Sequence, residues 1–145
     1  MGRTLFTIII VALFLKGTTY SQQLLPQPVI PGQWIKSWFL CGPIPVKEPL
    51  DASDSWDHMV GFNTDYLIKA GGEQNLKVKA GDVVKYAKGS ARWILYNSPD
   101  SIIDLDIAVS KDEPVFAYAY TEIQSDENKV WIISLGTNDG GKLWV

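Results

Sequence analysis

The sequence predicts an all-β sandwich. One segment, Pro-Val-Phe-Ala-Tyr-Ala-Tyr-Thr-Glu-Ile at 114–123, alternates strictly with period two. Short apolar runs recur about every ten residues between Gly, Pro, Asn, Asp and Ser clusters, the rhythm of a sandwich or barrel. Beyond the first twenty residues no stretch carries a helical repeat.

In chain order, residues 1–21 read as a secretory signal peptide. Arg3 makes a positive start, residues 5–15 are apolar apart from Thr7, and Thr19 and Ser21 place small side chains before a cut at Gln22. The apolar run is shorter than the roughly 20 residues that span a bilayer. The alternative is an uncleaved N-terminal anchor. The reading predicts a secreted or periplasmic protein with no membrane association after cleavage. Residues 22–33 hold three Pro, one Gly and several Gln, a Pro/Gln-rich linker of polyproline character. The sandwich module is then residues 34–145.

Within it, residues 34–41 form the first predicted strand, stopped by Gly42-Pro43-Ile44-Pro45. Residues 46–81 are irregular, with 65–70 compatible with a short helix or a strand. Ordered loops of this length are usually functional. Strands are predicted at 82–87, 92–96, 102–109, 114–123 and 129–135, with Gly89-Ser90, residues 97–100 and residues 125–128 as turns. Residues 143–145 open a further strand after a turn at Asn138-Asp139-Gly140-Gly141. An apolar strand so soon after a turn leads to the expectation that the sandwich is incomplete at Val145 and that more strands follow.

The whole chain has 145 residues, 13 basic and 16 acidic, for a net charge of -3. Loss of Arg3 and Lys16 with the signal peptide makes the mature domain more acidic still. No basic excess exists to hold nucleic acid. One Cys and one His exclude a disulfide framework and a multi-Cys/His zinc site.

Glu113–Val145 and the opening Trp38-Phe39-Leu40-Cys41-Gly42-Pro43-Ile44 resemble a jelly-roll, galactose-binding-like module at the N-terminus of large secreted bacterial hydrolases. The resemblance rests on the alanine–aromatic alternation, a strand ending in Leu-Gly, the Thr-Asn-Asp-Gly turn and the Leu-Trp strand after it. It implies a non-catalytic, carbohydrate-directed binding or accessory module, with a glycan or a C-terminal catalytic domain of the same chain as partner. Two alternatives stand beside it: a structural spacer or docking domain, and the N-terminal fragment of a hydrolase whose active site lies beyond Val145. The turn is also similar to that of protective-antigen-type lectin modules. Here Asn138 replaces the first Asp and a second glycine, Gly141, follows Gly140.

No catalytic motif is present: there is no nucleophile elbow, zinc-helix signature or phosphate loop. His58 has no evident orienting partner, and Cys41 reads as a buried thiol. Glu113 and Glu122 are a formal acid pair whose separation the sequence does not give. Asp51, Asp54 and Asp57 offer carboxylates to calcium, but at a spacing of three rather than the alternate positions of a calcium loop. The other reading is a solvated, turn-forming loop, and no cofactor is expected. Sugars pack their C–H faces on aromatic rings, so the ligand candidates are Trp56 in its polar loop, Tyr118 and Tyr120 on the alternating strand, and Asp139 in the turn. Trp34, Trp38, Trp93, Trp131 and Trp144 fall on predicted strands and are assigned to the core. The stripe Phe116, Tyr118, Tyr120 is either core or a binding platform.

Overall fold

The computed structural model describes residues 22–45, 63–86, 89–112, 115–137 and 140–145. It is mostly antiparallel β-structure with little helix. Four strands form the main sheet: β2 (Ser37–Pro45), β3 (Val83–Tyr86), β4 (Gly89–Asn97) and β5 (Val115–Tyr120), in the order β3-β4-β2-β5. All three pairings are antiparallel. Two short strands, β1 (Gln27–Pro28) and β6 (Ile123–Gln124), pair in parallel. One helical turn, α1 (Leu105–Ala108), and two 3₁₀ turns, Ile68–Ala70 and Glu73–Asn75, complete the described elements.

Register decides which residues share a face, because residues directly opposite in a sheet project to the same side. Phe39 lies opposite Leu95 and Tyr120, and Cys41 lies opposite Trp93 and Tyr118. These residues, with Ile44, Val84, Ala91 and Phe116, make one apolar face. It is covered by Leu67, Tyr66, Leu76, Val78 and Ala80 from the segment between β2 and β3, and by Leu24. Phe39, Cys41 and Ile44 are fully buried, and Trp93 is 3% exposed. Each such side chain gains about 1.5–3 kcal/mol from burial.

The other face is more open. Leu40 is buried between Ile94 and Ala119, yet Ile94 and Val83 are 44% and 45% exposed. This face is approached at Gly42. A Cβ placed there would lie 2.8 Å from Val109 Cγ1 and 3.0 Å from Ala117 Cβ, closer than side chains come.

Several expectations are corrected. Gly42-Pro43 does not stop the first strand. β2 runs on to Pro45 through a register shift between Cys41 and Ile44, an irregularity where Pro43, lacking an N–H, is tolerated. Gly89-Ser90 is not a turn but the start of β4, with Gly89 opposite Tyr86. Residues 102–109 are not a strand but contain α1 (Leu105–Ala108). The Asp104 side chain accepts a hydrogen bond from the Ile107 N–H, and this N-cap selects a helical turn over an alternation that Asp104 and Asp106 had suggested. Residues 129–135 and 143–145 have no strand partners, so the expected hairpin through the Asn138–Gly141 turn is not formed among the described residues. The Pro/Gln-rich stretch is not merely a linker. Leu24 is buried, and Gln27 donates from Nε2 to Ser37 O at 2.7 Å and to Thr121 Oγ1 at 2.8 Å.

Candidate functional site

The aromatic strand β5 leads to the best-formed polar site. Phe116, Tyr118 and Tyr120 point into the covered face, half-buried, so their rings serve as core. Tyr118 packs edge-on to Phe116 at 5.5 Å and lies 6.3 Å from Trp93. Its hydroxyl passes beyond the ring packing, donates to Glu73 Oε1 at 2.7 Å and accepts from the Tyr66 N–H at 3.3 Å. Burial first, and the Glu73 carboxylate second, push the Tyr118 hydroxyl well above the usual phenol range. It is therefore a permanent donor to Glu73 at neutral pH.

Glu73 belongs to a compact double turn. Asp65 accepts from the Leu67 N–H at 2.8 Å and from the Glu73 N–H at 3.3 Å, so one carboxylate ties both 3₁₀ turns. An Asp bonding backbone two residues on is the usual way such turns are set. Gly71 and Gly72 join the turns at φ of 106° and 85°, a left-handed region that glycine enters without strain. Leu67, 2% exposed, anchors the assembly in the core.

Between this double turn and Trp144 lies an open cleft of about 320 Å³. Asp65, Glu73, Gln74, Asn75 and Ile68 form one side, and the Trp144 ring, 38% exposed, forms the other. Among the described residues no Lys or Arg lines it. Two carboxylates and two carboxamides offer bidentate acceptors and donors opposite an aromatic ring. A smaller hollow of about 140 Å³ lies between Pro28, Pro31 and Trp131, where Lys129 Nζ sits 4.2 Å over the Trp131 ring.

Of the residues singled out from sequence, Tyr118 borders the cleft through Glu73. Tyr120 stands apart, its hydroxyl donating to Glu122 Oε1 at 2.7 Å, with burial and then that carboxylate raising it to about 12. Trp56, Asp139, His58, Glu113 and the Asp51, Asp54, Asp57 group lie outside the described residues. Among the described residues no group of three or more His, Cys, Asp or Glu is placed to hold a metal, and no helix is long and apolar enough to cross a membrane. Cys41 is fully buried and burial pushes its thiol to about 12, which keeps it un-ionised at neutral pH. Trp93 is core as expected, but Trp34 is 64% exposed.

The cleft residues Asp65, Glu73, Gln74, Asn75 and Trp144 were not singled out from sequence. The signal that bears on them is the polar Gly-Gly-Glu-Gln-Asn run inside a long irregular loop. Trp144 carries none, because its Leu-Trp-Val context reads as a strand. Comparison with known protein families, curated proteins and solved structures finds no match for this chain.

Proposed function

We propose that the chain is an exported, non-catalytic, carbohydrate-directed binding module of jelly-roll type, acting as part of a larger secreted protein. The observation that carries this reading is the cleft in which Trp144 faces Asp65, Glu73, Gln74 and Asn75. Saccharides need an apolar platform for their C–H face and planar acceptor–donor pairs for vicinal hydroxyls, and the cleft supplies both. Its described lining holds two carboxylates and no Lys or Arg, which favours neutral sugars over sulfated or uronic ones. The inert Cys41 thiol is consistent with a role without nucleophilic chemistry.

Titration calorimetry with neutral oligosaccharides tests the reading. Millimolar or tighter binding, weakened at least about tenfold by Trp144→Ala, is expected; about 1.4 kcal/mol of lost ring contact is enough. The absence of binding by any neutral glycan, or binding indifferent to both Trp144→Ala and Glu73→Gln, overturns it. Export is tested by the intact mass of the secreted protein, which should begin at Gln22. Retention of Met1 on a membrane-bound form counts against it.

A second reading is favoured by a different observation. Ile94, Val83, Ile102 and Ile107 expose 44%, 45%, 73% and 76% of their surface. Apolar exposure of this kind suits a docking domain that packs on a neighbour. Under that reading, joining the module to its neighbouring domain protects these residues from solvent while glycans remain without effect.

A further inference from the structure

Among the described residues β5 is the terminal strand of the main sheet. Its inner edge pairs with β2. Further along, the Glu122 and Gln124 carbonyls accept from the Gln27 and Val29 N–H groups at 2.9 Å each, so that the N-terminal segment continues the line of β2. Backbone groups alternate in direction along a strand. The N–H and C=O of Ala119, Thr121 and Ile123 therefore face the opposite edge, which is open among the described residues. That edge is unprotected by the usual devices: Val115–Tyr120 contains no charge and no proline. β3, the other terminal strand, carries exposed Lys85.

The same chain holds a segment suited to this edge. Residues 129–135, Lys-Val-Trp-Ile-Ile-Ser-Leu, follow β6 after the bend at Asp126 and Glu127 and have no strand partner among the described residues. Val130 and Ile132 are 93% and 91% exposed, and Leu135 is 58% exposed. The bend has contacts of its own, and Trp131 lines a hollow with Pro28 and Pro31. Ser125 Oγ accepts from the Glu127 N–H at 3.1 Å and from Trp131 Nε1 at 3.0 Å, and Lys129 pairs with Glu127 at 2.6 Å.

We infer that residues 129–135 are a strap that closes antiparallel onto the open edge of β5 and β6. Closure exchanges the present contacts of the bend, those of Trp131 with Pro28 and Pro31 among them. A four-residue loop at 125–128 sets Gln124 opposite Lys129. Ile123 then faces Val130, Thr121 faces Ile132, Tyr120 faces Ile133, and Tyr118 faces Leu135. Period two carries Trp131, Ile133 and Leu135 to the covered face beside Tyr118 and Tyr120, and leaves Val130 and Ile132 on the other. The outward groups of Ala119, Thr121 and Ile123 meet those of Ser134, Ile132 and Val130. The closed strap ends beside Tyr118, whose hydroxyl holds Glu73, and residues 136–143 lead from there to Trp144 in the cleft. So short a tether makes closure intramolecular and independent of concentration.

Amide hydrogen exchange and NMR of the labelled full chain test the inference. Alternating protection is expected, with Val130, Ile132 and Ser134 slowed at least about tenfold and Trp131 and Ile133 fast. Hα–Hα contacts should join Tyr120 to Ile133 and Glu122 to Trp131. Ile132→Pro removes a ladder donor and should abolish protection at Ser134 while leaving the amides of Cys41 and Trp93 protected. Uniformly fast exchange over 129–135 overturns the strap. So do cross-strand contacts that arise only between labelled and unlabelled copies, which identify pairing with a second chain.

Discussion

The two faces of the main sheet are built from the same kinds of side chain and end in different states. On one, Phe39, Cys41, Trp93 and Ile44 lie beneath Leu24, Leu67 and the loop leading into β3. On the other, Leu40 is buried, while Ile94 opposite it stays 44% exposed. Apolar content is therefore not what makes a core here. The difference is a covering layer, supplied by Tyr66, Leu67, Leu76 and Val78 of the segment leading into β3, while Ile68 of the same segment stays 72% exposed.

If the comparison is sound, truncation should cost far more on the covered face. Trp93→Ala is expected to lose about 3–5 kcal/mol, enough to unfold a domain of ordinary stability. Urea denaturation measures it, and a loss below 1.5 kcal/mol breaks the comparison. The open face has one tight point. Gly42→Ala drives a Cβ against Val109 and Ala117 and should cost about 1–3 kcal/mol by the same assay.

A graded effect comes from alkali. Cys41 and Tyr120 rise from ordinary values of 9.0 and 10.0 to about 12, and Tyr118 rises further. In each case the folded state keeps a proton that the unfolded state gives up. Their contribution is complete below about pH 9 and is lost as the pH climbs toward 12. Melting temperatures between pH 8 and 11 should fall accordingly, and less steeply in Tyr118→Phe. A flat profile rejects the buried setting of these groups. The smallest change is expected for Ile94→Thr, which keeps a β-branched residue on the open face and should cost about 1 kcal/mol or less. A larger loss shows that the open face is covered in solution.

The sequence made β5 legible because its alternation agrees with its packing: Phe116, Tyr118 and Tyr120 do face inward. β4 was legible at 92–96 as a short apolar run, and its Trp93, assigned to the core, is buried there. Residues 129–135 carry an equally apolar pattern yet have no strand partners, because alternation records a capacity to pair and does not supply the partner. Residues 102–109 failed differently, as a single side-chain cap at Asp104 outweighed the pattern. Gly42-Pro43 was read locally as a stop, whereas pairing with β5 resumes at Ile44 and Pro45 and carries β2 past it. The cleft escaped notice because it joins Asp65 and Glu73 to Trp144, some seventy residues away, a proximity that no local spacing encodes.

Cys41 has a use that follows from its place in the middle of β2. It is the single thiol of the chain, fully buried, and un-ionised while it stays covered. An alkylating reagent in solution can meet it only in molecules whose covering layer, Leu24, Leu67 and the segment leading into β3, has lifted from β2. Where closing outpaces modification, the labelling rate divided by that of the unfolded chain is the opening equilibrium constant itself. One native side chain thus makes the protein its own gauge of how often its centre comes apart, with no probe to introduce.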